Sequence, residues 1–333
     1  MDCLKWYDRY TSGFEFTGTS EISTFYRISS SKMHLFRQPV QDLAKCTSGV
    51  RLRFRTDSKR IALSAKLLNA AFMPHMPRTG SCGFDLYVTT DKEKTKFILN
   101  FRPNTATDTD VSGECIFPSK GIKDIVIYFP LYNGVRDLSI GLEKDSVILP
   151  PSKEQNKLVL FYGSSITQGG CGSRPGNSYP AILCRDLNLP FINLGFSGNA
   201  LGELEMAEYI KSLKPNVFVM DYDHNASLEG LTNTHEDFFK AIRKDLPDIP
   251  IILMSKPDFD PDPETNSLRR NVIINTYENA KRSGDRNVYF IDGESLFGDD
   301  HRDACTVDGC HPNDLGFMRM AIRLKPVVEK ALN

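Results

Sequence analysis

The sequence predicts an α/β protein in two parts, an antiparallel β-sandwich followed by a three-layer α/β/α domain. Two observations carry this. From about residue 20 to 150 short β-like segments follow one another, separated by Gly, Pro, Asn and Asp. After residue 157, short apolar runs alternate with helical patterns. Many short strands with turn punctuation indicate a sandwich or jelly roll, whereas buried strands alternating with helices indicate a parallel sheet.

Within the first part, "VRLRFRT" alternates apolar and basic residues with period two, as a half-buried strand does. "GFDLYVTT", "TKFILNF", "KDIVIYFPL", "RDLSIGLE" and "DSVILPP" continue the series. "ILPPSKEQNK" (148–157), with two prolines and then only polar residues, marks the boundary. The expected domains are therefore 1–150 and 157–333.

In the second part "KLVLFYG", "PFINLGF", "NVFVMDY", "IPIILMS" and "NVYFID" read as five strands covered on both faces. Between them "SYPAILCRDL", "LGELEMAEYIKSL", "HEDFFKAIRKDL" and a segment near 264–283 read as helices, with a last helix from about 313. Right-handed crossovers then give a five-stranded parallel sheet with helices on both faces. Sites in such folds gather at the carboxyl ends of the strands.

Composition narrows the function. At 40% hydrophobic and 25% charged residues the chain has ample core material, and its net charge of −1 gives no global attraction to nucleic acid or anionic membrane. No run of 18 apolar residues is present, so a membrane span is not expected. "MDCLKWYDRY" lacks a basic n-region and an apolar h-region, which favours the cytoplasm, or secretion if a leader precedes the chain as given. The eight cysteines are Cys3, Cys46, Cys82, Cys115, Cys171, Cys184, Cys305 and Cys310; they form no CxxC pair, the strongest zinc or redox signature.

The strand ends hold a particular inventory. The first ends in Gly163-Ser164-Ser165-Ile166, the second in "NLGFSGN" (193–199), the third in "DYDHNAS" (221–227). After the fifth comes "DGCHPNDLGF", in which Asp308 and His311 stand three apart. Serines, glycines, Asn225 and an Asp–His pair are what acyl transfer needs: nucleophile, oxyanion donors, base and orienting acid. A serine hydroxyl is a weak nucleophile until a base takes its proton, and the base needs a carboxylate to fix its tautomer.

Other readings of these residues are blander. Ser165 could be a helix N-cap or turn serine, and Asp308 could cap the last helix. Gly198 could be a plain turn glycine and Asn225 a capping residue. A phosphate loop is disfavoured, because residues 158–210 contain no lysine and no Walker pattern. G-x-S-x-G is absent too, so this is not the sharp elbow of α/β-hydrolases. Cys305, Cys310 and His311 invite a zinc reading, but their spacing fits no usual structural site, so no metal is expected. Cys305 and Cys310 could instead be joined by a disulfide or remain free thiols.

Taken together, these loops resemble the SGNH (GDSL-type) hydrolase superfamily. Its G-D-S-[LI] block matches Gly163–Ile166, which implies that Ser165 rather than Ser164 is the nucleophile. Gly198 matches the oxyanion glycine, Asn225 the asparagine of G-x-N-D, and Asp308 and His311 the D-x-x-H block. The resemblance thus implies an oxyanion hole of the Ser165 and Gly198 N–H groups and the Asn225 amide. Three positions depart from the pattern: Ser164 replaces an aspartate, Asp223 a glycine and Ala226 an aspartate. "GFDLY" (83–87) is similar to the G-x-D-L-Y signature of a β-rich domain that precedes some of these hydrolases, with Asp85 expected to bond backbone in a β-turn.

The resemblance implies a serine esterase acting on carboxylic esters, without cofactor. O-acetyl groups on xylan-type oligosaccharides, or a small-molecule ester, are the expected substrate. A lysophospholipase, an acyl-thioesterase and a catalytically silent carbohydrate-binding protein are the alternatives. His224 and Tyr222 are candidate substrate contacts, and Trp6, Tyr7 and Phe259 are aromatics able to stack on sugar rings. Whether the acyl group passes to water or to another alcohol, and whether the chain self-associates, is not fixed by the sequence.

Overall fold

The structure is a computed structural model that describes residues 4–70, 72–90 and 95–333; Cys3 lies outside the described residues. The chain forms two compact units. The first comprises residues up to Ser30, Ala44–Glu154 and Ser173–Gly176, and the second Ser31–Leu43, Gln155–Gly172 and Asn177–Asn333. The units are thus not the contiguous stretches 1–150 and 157–333. Residues 31–43 group with the second unit, and a four-residue segment following the first parallel strand groups with the first.

The first unit contains ten strands in chain order: β1 (Leu4–Asp8), β2 (Glu15–Thr17), β3 (Arg51–Thr56), β4 (Arg60–Leu67), β5 (Phe84–Thr89), β6 (Lys96–Phe101), β7 (Asp110–Ile116), β8 (Lys123–Tyr128), β9 (Val135–Glu143) and β10 (Ile148–Leu149). They make two antiparallel sheets, ordered β1-β9-β4-β7 and β10-β3-β8-β5-β6, with β2 also on β3. Inward residues such as Leu52, Phe54, Leu63, Phe84, Leu86, Ile125, Ile127 and Ile140 form one fully buried core cluster. That is the sandwich arrangement the alternating pattern predicts.

The basic face of β3 departs from expectation. Arg51 and Arg53 are only 2% and 6% exposed, because the boundary segment lies against them. Glu154 accepts from Arg51 at 2.8 Å and sits 3.0 Å from Arg53, which also donates to Glu15 and to the Ser152 carbonyl. A strand with charged residues on its outer face is therefore covered on both sides, with each guanidinium paired as burial demands.

Asp85 of the "GFDLY" segment lies on β5 rather than in a turn. Its fully buried carboxylate accepts from Asn100 Nδ2 at 2.8 Å and from the Gly176 backbone N–H at 2.8 Å. Arg174 stands 3.6 Å from it, donates to the Tyr87 hydroxyl at 2.6 Å and lies 3.8 Å above the Phe97 ring. The segment Ser173–Gly176 is thereby anchored by one aspartate and one tyrosine of β5.

The second unit carries five parallel strands: β11 (Val159–Gly163), β12 (Phe191–Gly195), β13 (Val217–Asp221), β14 (Ile251–Met254) and β15 (Val288–Ile291). Their order is β12-β11-β13-β14-β15. Every residue of β11, β13 and β14 is buried, as expected for strands covered on both faces. Two helices precede these strands in the chain: α1 (Gln38–Ala44), at the end of the segment 31–43, and α2 (Arg78–Ser81) of the first unit. The rest are α3 (Ser165–Gln168), α4 (Tyr179–Asp186), α5 (Leu204–Ser212), α6 (Leu228–Asp245), α7 (Pro263–Arg282) and α8 (Asp314–Leu332). Strand order reverses beside β11, so the loops after β11, β12 and β13 open at the switch point where such sheets bind ligands.

Close packing keeps α3 against the sheet. A Cβ on Gly195 would stand 2.2 Å from the Gln168 backbone nitrogen, so only glycine lets that helix approach β12. Below α3, the fully buried Asp221 carboxylate accepts from Thr167 Oγ1 at 2.7 Å and from the Tyr179 hydroxyl at 2.8 Å. Burial raises its pKa, the two hydrogen bonds oppose the rise, and the result is about 6.

Two outcomes follow from these buried acids. Asp85→Ala should lower unfolding free energy by roughly 3 kcal/mol, since it strands a buried N–H and a guanidinium; a denaturant melt measures this, and a loss within error of zero would contradict the anchoring role. For Asp221 the folded state binds a proton more tightly than the unfolded chain. Its stabilisation is complete below about pH 4 and is lost as pH rises through the folded value. Melting temperatures of wild type should therefore fall relative to those of the non-ionising Asp221→Asn between about pH 4 and pH 7. A constant gap would show that the acid does not titrate in this window.

Candidate active site

The two adjacent serines have different surroundings. Ser164 is the N-cap of α3; its hydroxyl accepts from the Ile166 N–H at 3.2 Å and is fully buried. Ser165 begins the helix, and its Oγ lies 2.9 Å from His311 Nε2. On the far side of the ring, His311 Nδ1 is 2.8 Å from Asp308 Oδ2. The structure thus joins Ser165, His311 and Asp308 in one hydrogen-bonded chain, across 146 residues of sequence.

The loop that presents His311 is tightly built. Asp308 Oδ1 accepts from the backbone N–H of His311 at 2.7 Å and of Cys310 at 3.1 Å. Val307 N–H bonds the His311 carbonyl at 2.9 Å, and Asn313 caps α8 through the N–H groups of Leu315 and Gly316. Partial burial of Asp308 opposes its ionisation, but the backbone and ring N–H groups of His311 outweigh it and hold the carboxyl at about 2. A carboxylate ionised at every working pH keeps the proton of His311 on Nδ1, which leaves Nε2 with a lone pair facing the serine. Such a chain can take the serine proton and later return it to a leaving group.

Two further loops hold the other expected site residues, Gly198 and Asn225. Gly198 is solvent-exposed at φ +69°, a conformation glycine adopts freely, and nothing lies within 4 Å of where a Cβ would be. Its neighbours are fixed: Ser197 N–H bonds Gln168 Oε1 at 3.0 Å, and Arg37 donates to the Asn199 side chain and carbonyl at 3.1 and 3.0 Å while pairing with Glu203. Asn225 accepts from the Ala200 N–H at 3.2 Å through Oδ1, so its NH₂ end is turned away from that loop.

The loop carrying Asn225 is held by a buried ion pair. Arg269 of α7 donates to Asp223 Oδ1 at 2.8 Å, to the Asp223 carbonyl, and to the Ala226 carbonyl at 2.9 Å. Asp223 Oδ2 also accepts from the Lys256 N–H at 2.9 Å. Asp223, where the resembling pattern has glycine, therefore has a partner of its own. Neither Arg37 nor Arg269 is signalled by any local motif.

Other expected contacts are placed differently. Tyr222 is 1% exposed, its ring stacked on His235 and its hydroxyl 3.2 Å from Thr234 Oγ1, so it is a core residue and no substrate contact. His224 is nine-tenths buried and paired with Asp258 at 2.5 Å rather than turned outward. Phe259 lies under the Arg270 guanidinium, 8% exposed. His34, His75 and His301 are exposed, while His235 bonds Thr276 in the core. Cys305 is buried, Cys310 half-buried, and both are free thiols.

Comparison with known proteins agrees with this geometry. Residues 156–329 match the GDSL-like Lipase/Acylhydrolase family, and residues 4–148 match the GxDLY domain found at the N-terminus of SGNH-hydrolase-type esterases. No curated protein matches the chain. A candidate GDSL-like lipase from Bacteroides ovatus is similar at 29% identity, with 99% of this chain and 98% of that one covered and a TM-score of 0.89. The salicylyl-acyltransferase SsfX3 of a tetracycline biosynthetic pathway shares the fold at 19% identity over all of both chains, TM-score 0.82. An acetyl xylan esterase from the rumen bacterium Butyrivibrio proteoclasticus shares it at 13% identity over 99% of each chain, TM-score 0.62. The chain belongs to the GDSL-like lipase/acylhydrolase family, a carboxylic ester hydrolase with a GxDLY β-domain ahead of an SGNH-type catalytic domain.

Proposed function

We propose that this esterase removes O-acetyl groups from carbohydrates through an acyl-enzyme on Ser165. The observation that carries the mechanism is the hydrogen-bonded chain from Asp308 through His311 to Ser165. His311 Nε2 takes the proton as Ser165 Oγ attacks the ester carbonyl, and the imidazolium is stabilised by Asp308. The N–H groups of Ser165 and Gly198 and the amide of Asn225 receive the oxyanion; losing one such donor typically slows catalysis ~10²–10³-fold. His311 then protonates the departing sugar oxygen, activates water, and returns Ser165 to its resting form. No step calls for a metal.

Acetyl is favoured as the acyl group on two grounds. The sequence contains no long apolar lid for a fatty chain, and a full-length structural relative is an acetyl xylan esterase. A second reading, transfer of the acyl group to an alcohol other than water, draws on the full-length likeness to the salicylyl-acyltransferase.

The test compares p-nitrophenyl acetate, butyrate and octanoate, then acetylated xylo-oligosaccharides, for wild type and Ser165→Ala. Acetate should be preferred, and Ser165→Ala should lose at least about 10³-fold in kcat while melting at the wild-type temperature. Activity surviving in Ser165→Ala would exclude it as nucleophile, and an octanoate preference would replace the carbohydrate reading with a lipid one. Acyl product appearing on an added sugar alcohol, at the expense of free acetate, would favour transfer.

A further inference from the structure

Beside the serine chain lies a second set of groups that this mechanism does not use. His224 Nε2 is 2.5 Å from Asp258 Oδ1, and Asp258 Oδ2 is 3.2 Å from Lys256 Nζ. The other ring nitrogen, His224 Nδ1, is buried and has no hydrogen-bond partner among the described residues. Cys310 completes the cluster: donor atoms of His224, Asp258 and Cys310 all lie within 4.8 Å of one another. A buried imidazole N–H without an acceptor costs about 1–3 kcal/mol, and such groups call for an explanation.

Charge state decides between two explanations. Burial pulls the His224 pKa down, but Asp258 outweighs it, with Cys310 adding, and the group is held at about 10. A metal ion needs the unprotonated ring, so at neutral pH it would have to displace a firmly held proton; Lys256 already supplies a cation to the same carboxylate. A protonated ring instead calls for an acceptor at its second nitrogen, and the Cys310 sulfur is the remaining donor atom of this cluster.

We propose that Cys310, His224 and Asp258 form a second nucleophile–histidine–acid array, making Cys310 a reactive thiol and a modification site for soft electrophiles. The array differs from the serine chain in its acid, which meets Nε2 rather than Nδ1. Cys171 lies near enough to Cys310 and Asp308 to interact with both, and Asp308 accepts the Cys310 backbone N–H at 3.1 Å. Because the next residue is His311, whose N–H shares the same Asp308 oxygen, an adduct on Cys310 displaces the loop that holds the serine's base. Capture of an alkyl halide is balanced: an S–C bond forms, the carbon–halogen bond breaks, halide leaves, and the thiol proton stays on His224.

The experiment is timed alkylation of the whole protein with iodoacetamide at neutral pH, each cysteine followed by peptide mass spectrometry. Cys46, also half-buried, is the internal reference. In the native protein Cys310 should react about tenfold faster than Cys46, and the excess should vanish in urea. His224→Gln and Asp258→Asn should each remove most of that excess while Cys46 keeps its rate. Esterase activity of wild type should fall in step with Cys310 labelling, and Cys310→Ser should resist inactivation. Equal native rates for Cys310 and Cys46 would overturn the proposal, as would an undiminished excess in His224→Gln. The labelling ratio does not depend on the ester reading above, so failure of one is separable from failure of the other.

Discussion

Asp308 grips His311 twice, once at the backbone N–H and once at ring Nδ1, and the chemistry proposed for the site depends on that grip. A freely turning imidazole three residues from its acid would sample several rotamers and both tautomers. The double hydrogen bond removes that freedom and directs Nε2 at Ser165. The same bonds hold the carboxyl at about 2, so the orienting charge survives well into acid. The serine is equally constrained. Ser164 caps the helix, Gly195 lets the helix reach the sheet, and Asp221 ties Thr167 from below.

Around this chain, loops are fixed by charged clamps, buried at Arg269 and Asp223 and exposed at Arg37. Arg269 closes the loop of Asn225 by binding carbonyls on either side of it and the Asp223 carboxylate between β13 and α6. Arg37 does the same for the loop of Gly198, through Asn199 and Glu203. Breaking the buried Arg269–Asp223 pair would leave an uncompensated charge, so that clamp has few alternative arrangements. That suits donors which must meet an oxyanion without rearranging. The first unit uses the same device at Asp85 and at Glu154.

What could be read in the sequence follows the range of the interactions. Period-two and buried-strand patterns are local, and the five parallel strands and β3, β5, β6, β8, β9 and β10 appear where those patterns place them, whereas β1, β2, β4 and β7 were not anticipated. Asp308 and His311 were legible because both lie in one short loop, and Ser165 because it ends a strand of recognisable type. Arg37, Asp258 and Arg269 were not, since each meets its partner from an element distant in sequence. The grouping of residues 31–43 with the second unit was hidden for the same reason. Tyr222 was misread because its loop suggests exposure while its side chain points into the core. The basic face of β3 was misread because alternation alone does not reveal that residues 152–154 cover it.

The central claim is that Ser165, and no other residue, becomes covalently attached to the acyl centre. The direct measurement is active-site labelling with a p-nitrophenyl alkylphosphonate, which leaves a stable tetrahedral adduct resembling the transition state. The account predicts one phosphonyl group per chain, mapped by mass spectrometry to Ser165, with ester hydrolysis lost in proportion. A label on Ser164 or Cys310, or complete inactivation with Ser165 unmodified, would contradict it.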